Sequence, residues 1–88
     1  MTTPWYTYIL ECRDKSFYTG ISDDLEKRVE RHNAGHAASW TKKRRPLKLV
    51  FAESHPDKSS ARLREIEIKG WRREKKLNLI NSDKNTLN

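Results

Sequence analysis

The sequence holds one cysteine, three glycines and three prolines among 88 residues, and no long apolar run. A single cysteine excludes an internal disulfide framework and a multi-cysteine metal site. Cys12 stands in an apolar, strand-like run, where a small buried thiol is its expected role. No stretch approaches the roughly 20 apolar residues of a membrane-spanning helix. The opening "MTTPWYTY" has neither a basic n-region nor an apolar h-region, so it does not read as a signal peptide. A cytoplasmic protein with no membrane partner fits these absences. Acidic residues are also few: 12 stand against 19 lysines and arginines, giving a formal net charge of +7. On so short a chain that excess points to a polyanion, with a well-solvated surface as the plainer alternative.

What the chain does hold is enough for one small core. Hydrophobic residues make up 34% and include three tryptophans, three tyrosines and two phenylalanines, each burying a large area. Trp5 to Cys12 and Phe17 to Ile21 are rich in aromatic and β-branched residues and read as two strands of a hairpin. "SDDLEKRVERHNAG" reads as a helix, with Asp23 as N-cap, Glu26 as its capping-box partner, and Asn33 or Gly35 at its end. "HAASWTKKRRP" reads as a basic loop. Leu47 to Ser54 is a third strand, and a second helix is expected over about Ser59 to Lys75, weakened at Gly70, which is a candidate point for it to kink or end. "LNLI" adds a short closing turn. The expectation is a single domain over residues 1–81, with a polar, disordered tail over 82–88. The order β-β-α-β-α gives an α/β (α+β) fold, a three-stranded, mainly antiparallel sheet flanked by helices.

Two helical stripes carry unusual residues. At about 100° per residue, Leu25, Val29, His32 and Arg28 share one face of the first helix. An inward arginine and histidine are costly without partners, although Arg28 can snorkel and His32 can be a satisfied core residue. On the second helix Glu65 falls among Ala61, Ile68 and Arg72, and Glu67 between Leu63 and Trp71. One glutamate faces inward, paired with an arginine or holding a hard cation, and periodicity does not choose between them. Lys42, Lys43, Arg44 and Arg45 form the densest cationic run and suit phosphate contacts.

These residues together resemble the GIY-YIG nuclease domain. Tyr8 in "YTYIL" matches the tyrosine of the first tripeptide, and Tyr18-Thr19-Gly20 matches the second. Arg28 in "LEKR" matches the family arginine, His32 the histidine or tyrosine one turn later, and Glu65 in "SSARLREIEIKGW" the metal-binding glutamate. The resemblance runs from Tyr6 to about Ile80 and is strongest to the small single-domain bacterial members of the UPF0213 kind. Tyr6 replaces the first glycine, Thr19 replaces an isoleucine or valine, and no second DNA-binding domain is expected. The resemblance implies a metal-dependent endonuclease cutting DNA, with branched, nicked and single-stranded forms among the candidate substrates and a role in DNA repair or processing. A protein partner could direct it to its target. One Mg2+ or Mn2+ would sit on Glu65, Arg28 would contact the scissile phosphate, and Tyr8, Tyr18 or His32 would act on the attacking water. A nucleic-acid binding module that keeps the fold with little or no catalysis is the alternative.

The hairpin turns these expectations into a question of register. A two-residue turn at Asp14-Lys15 pairs Cys12 with Phe17 and sends Tyr8 and Tyr18 to opposite faces. A three-residue loop over Asp14 to Ser16 pairs Cys12 with Tyr18 and puts both phenols on one face.

Overall fold

The computed structural model describes residues 3–87. Strand β1 (Trp5–Glu11) lies at the centre of a three-stranded sheet, between β2 (Phe17–Ser22) and β3 (Lys48–His55), and both pairings are antiparallel. A central strand covered on both faces needs an unbroken buried run rather than alternation. Thr7, Tyr8, Ile9 and Leu10 supply it, all with 2% exposure or less.

The hairpin adopts neither expected register. Its loop is Arg13-Asp14-Lys15, one position earlier: Cys12 N–H donates to Ser16 O (2.9 Å) and Lys15 takes φ 72°. A three-residue loop with its last residue left-handed is a common hairpin solution. Tyr8 then pairs with Gly20 and Tyr18 with Leu10, in an unbroken ladder from Tyr6/Ser22 to Glu11/Phe17. Both phenols fall on one face without a bulge. The irregularity lies instead between β1 and β3, where Ile9 pairs with Phe51 but Leu10 with Leu49. Val50 is the extra residue, and both Val50 and Phe51 join the same core cluster.

The two sheet faces have separate cores. Tyr8, Leu10, Cys12 and Leu47 pack with Leu25 and Val29 of helix α1 (Leu25–Asn33). Ile9 and Phe51 pack with Ile68 of α3 (Lys58–Lys69) and Leu79 of α4 (Arg73–Ile80). The stripe of α1 therefore faces inward as the periodicity requires. Its N-cap is Asp24, not Asp23: the Asp24 carboxylate accepts from Lys27 N–H at 3.1 Å, and Ser22 Oγ braces the turn. With lysine at the third helical position, no reciprocal acidic partner forms. Asn33 ends the helix and clamps it to the sheet, exchanging two hydrogen bonds with the Leu47 backbone.

Three further expectations are corrected. The basic segment is not wholly loop, because Ser39–Lys42 forms a one-turn helix, α2. The second helix ends at Gly70, one of the two outcomes expected of that glycine, and a new helix starts at Arg73 after an extended Arg72. That break lets Trp71, Leu79 and Ile80 reach the same core cluster, and it makes "LNLI" the end of α4 rather than an isolated turn. The tail is ordered through Leu87, with Asn88 outside the described residues. β3 has an open edge whose backbone groups need partners. Asn85 provides them: its Oδ1 accepts from Ala52 N–H (3.2 Å), and its Nδ2 donates to Val50 O and Ile80 O, each at 2.8 Å. Thr86 N–H and Oγ1 both donate to Ala52 O. Asn85→Ala should therefore cost about 2–3 kcal/mol, because it strands buried polar groups. A urea midpoint equal to wild type would show that the tail is not part of the cooperative unit.

Candidate active site

Strand pairing brings the two tyrosines to one face, and α1 lays His32 over them. His32 is buried at 1% exposure. Its Nε2 lies 3.0 Å from Tyr8 Oη and its Nδ1 lies 3.0 Å from Thr41 Oγ1. Tyr18 meets the same imidazole edge-on, with ring centroids 5.0 Å apart. Its other neighbour is Trp40 of α2, stacked at 6.1 Å and 29°. Arg44 caps Trp40 in turn, its guanidinium 4.0 Å from the ring centroid and its Nε 3.3 Å from Asp14.

Gly20 makes this arrangement possible. A Cβ built at Gly20 would stand 2.6 Å from Tyr8 Oη and 2.7 Å from its Cζ. The Tyr8 ring thus lies directly over its cross-strand partner, in space that any side chain would fill.

Burial sets the protonation of the pair. It is the main cause raising the Tyr8 phenol well above its ordinary range, with the Tyr18 phenol and the Glu65 carboxylate adding to it and Arg28 opposing. Burial also lowers His32 to about 4, with Arg28 and Arg31 contributing. At neutral pH both groups are uncharged. Tyr8 has no other hydrogen-bond partner among the described residues, and the direction of its bond to His32 Nε2 is set by the imidazole tautomer.

Depressed histidine titration has a stability consequence. The unfolded chain takes up a proton near 6.5 and the folded chain only near 4. His32 therefore contributes stability that is complete above pH 6.5 and lost as pH falls through 4, to the extent of about 3 kcal/mol. Asp14 and Asp57 are held below their usual range and lose stability in the same direction. Comparison with a His32→Tyr variant isolates the histidine. Urea unfolding at pH 7 and pH 4 should show a smaller acid loss in the variant; equal losses would refute the assignment.

Arg28 is half-buried on the same inward stripe and has no ion pair among the described residues. It lines a small concavity of about 140 Å3 with Ser22, Asp24, Lys27 and Arg31. Its field reaches both Tyr8 and His32.

Glu65, rather than Glu67, is the inward glutamate. It is 9% exposed, whereas Glu67 is exposed and pairs with Arg64. α3 lies on the opposite face of the sheet from α1, and no hydrogen bond joins Glu65 to the other four residues. Its carboxylate meets Lys69 Nζ at 3.1 Å and Arg62 Nε at 3.9 Å. Both cations are largely exposed, and such surface pairs are worth little. Among the described residues there is no cluster of three or more potential metal ligands. A lone carboxylate still fits Mg2+, which keeps several waters and completes its shell with substrate phosphate oxygens.

The cationic run divides by role. Arg44 is committed to Trp40 and Asp14, and Arg45 donates to the carbonyls of Lys42 and Asn33. Lys42 and Lys43 are exposed without ion pairs among the described residues, and with Arg13, Arg45 and Pro46 they line a cavity of about 440 Å3. Arg13, Trp40 and Thr41 were not among the residues expected to form the site. The signal available for Trp40 is an aromatic inside a basic run, and Thr41 gives none.

Comparison with known proteins identifies the family. The family model for the GIY-YIG catalytic domain matches residues 4–78. The chain belongs to the GIY-YIG family. A UPF0213 protein of Staphylococcus saprophyticus is 52% identical over 75 residues, covering 85% of this chain and 92% of that one. A UPF0213 protein of Staphylococcus aureus strain N315 is 51% identical over the same shares. The solution NMR structure of the UPF0213 protein BH0048 from Bacillus halodurans is 37% identical, covers 96% of this chain and 89% of that chain, and superposes with a TM-score of 0.60. The GIY-YIG fold is thus shared by a solved relative, and family membership places the chain among nucleases in the broad sense. No helix of the described residues is long and apolar enough to cross a membrane.

Proposed function

We propose that this GIY-YIG chain is a divalent-metal-dependent endonuclease that hydrolyses DNA phosphodiester bonds. The observation that carries this reading is the half-buried Arg28, with no ion pair among the described residues, beside a buried, hydrogen-bonded Tyr8–His32 pair. An unpaired cation held at a site is costly unless an anion completes it, and a phosphodiester is that anion. Arg28 binds the scissile phosphate and stabilises the charge that grows on it. Tyr8 takes a proton from the attacking water as its own passes to His32 Nε2, which is neutral and able to accept. Tyr18, whose phenol makes no hydrogen bond among the described residues, orients that water. Mg2+ or Mn2+ held by Glu65 would supply Lewis-acid stabilisation of the phosphoryl and leaving oxygens. Lys42, Lys43 and Arg13 hold the flanking phosphates.

One observation favours a binding module instead. Glu65 is already engaged by Lys69 and Arg62, and among the described residues it belongs to no cluster of three or more potential metal ligands. Incubation with branched, nicked, single-stranded and duplex DNA, with Mg2+ or with EDTA, separates the two. A nuclease cleaves only with metal, and Glu65→Gln lowers that rate by at least about 10²-fold while DNA binding persists. Salt-sensitive binding with no cleavage of any substrate selects the module.

A further inference from the structure

We propose that Thr41 is a positioning residue for this site: its hydroxyl holds His32 in the Nδ1–H tautomer and so keeps Nε2 open to the Tyr8 proton. A neutral imidazole has one N–H, and which nitrogen carries it is set by its neighbours. Both neighbours here are hydroxyls, so the direction of the chain must be worked out from its ends. At one end Thr41 Oγ1 lies 2.8 Å from Ala38 O, an acceptor only. The single hydroxyl proton goes there, which leaves the Thr41 oxygen to accept from His32 Nδ1–H at 3.0 Å. At the other end Tyr8 is 2% exposed and has only His32 to receive its proton among the described residues. The opposite tautomer would bury the Tyr8 O–H without an acceptor and would need the Thr41 proton turned away from Ala38. Two independent constraints therefore agree on one directed chain, from Tyr8 through His32 and Thr41 to the Ala38 carbonyl.

The chain also gives α2 a purpose. Its four residues supply both Thr41, fully buried at 0% exposure, and Trp40, stacked on Tyr18. A threonine hydroxyl bonded to the carbonyl three residues back is a familiar local motif. Here the same bond points the lone pairs of that oxygen at the imidazole. Without a hydroxyl at this position, nothing among the described residues accepts from Nδ1.

The catalytic half of the proposal rests on the nuclease reading, whereas the tautomer half does not. Thr41→Val keeps the shape and removes the hydroxyl, and Thr41→Ser keeps the hydroxyl. Long-range 1H–15N NMR spectra at pH 7.5 report which His32 nitrogen is protonated, on the full chain without substrate. Wild type and Thr41→Ser should show Nδ1 protonated. In Thr41→Val a substantial Nε2–H population should appear. Metal-dependent DNA cleavage should fall roughly 10- to 100-fold in Thr41→Val, the range seen when a functional histidine loses its orienting partner, and recover most of that in Thr41→Ser. An Nε2–H tautomer in the wild type overturns the proposal, even if Thr41→Val does not fold. So does a Thr41→Ser variant as impaired as Thr41→Val, or a Thr41→Val variant with unchanged tautomer and rate. The expected tautomers in a protein that cleaves no DNA would overturn the nuclease reading instead, so the two failures are distinguishable.

Discussion

Arg28→Ala should lower metal-dependent DNA cleavage by about 10²–10³-fold, the usual loss when one group stabilising transition-state charge is removed, without lowering the stability of the fold. Most half-buried residues lose stability when truncated, because packing or a partner goes with them. Arg28 has no ion pair among the described residues, and its charge works against its neighbours. It helps to hold His32 near 4 and opposes the upward shift of the Tyr8 phenol. Removing it relieves the first effect, so the stability lost on acidification should shrink and the acid limb of the stability curve should move to lower pH as His32 moves back toward its ordinary value. Arg28→Lys separates charge from geometry: a lysine cannot present the planar fork that matches two phosphate oxygens, so it should rescue DNA binding more than turnover. The measurements are single-turnover cleavage and urea unfolding on the same preparations. Equal losses of rate and of stability would make Arg28 a structural residue and remove the main support for the phosphate assignment.

The signals that were legible in the sequence were those generated by short-range pattern. The stripe carrying Arg28 and His32 and the inward turn of a glutamate follow from the helical period, whereas the two tyrosines were marked by the family resemblance and strand period left their shared face open. Pattern stopped at two glutamates because Glu65 and Glu67 both flank apolar positions. Only the tertiary packing of α3 buries one and leaves the other to pair with Arg64. α2 was hidden for a different reason. A single turn in a basic segment has almost no periodicity, and its stabilising contacts, Thr41 with His32 and Trp40 with Tyr18, are long-range. Asn85 was hidden likewise, since its partners exist only once β3 presents an open edge. The tail looked like disorder because its composition is polar, yet polar side chains are what an unpaired strand edge requires. The hairpin register lay one residue from the first alternative weighed and two from the second: Cys12 stands opposite Ser16, not Phe17 or Tyr18. Turn composition allowed several loops, and Lys15 adopting a left-handed conformation was not signalled by its residue type.

Gly20→Ala should be the most damaging single-methyl change in the protein, and the reason should be space rather than backbone. Among the described residues only Gly35 is a glycine with positive φ. Alanine can therefore adopt the Gly20 conformation, and on backbone grounds alone it should stabilise a strand by about 0.5–1 kcal/mol. Instead its Cβ would fall 2.6 Å from Tyr8 Oη and 2.7 Å from Cζ, with Cε1 at 3.1 Å. The flat face of a buried ring cannot give way as a flexible chain end does. Tyr8 must move, at a cost of about 1–3 kcal/mol for overpacking, and its bond to His32 Nε2 is lost. A displacement of this order at a reacting group costs about 10²-fold in rate, so Gly20→Ala should resemble Tyr8→Phe in cleavage while being less stable than it. Tyr8→Phe does not remove the clash, because Cζ stays in place. Tyr8→Ala does, and in that background Gly20→Ala should change sign and become neutral or stabilising. The double-mutant cycle measured by urea unfolding reads this coupling directly. If Gly20→Ala costs the same with and without the Tyr8 ring, the glycine serves something other than the phenol. If the sign reverses, the glycine of the second tripeptide is present to let the tyrosine of the first lie across it, and the two halves of the motif are one packing unit.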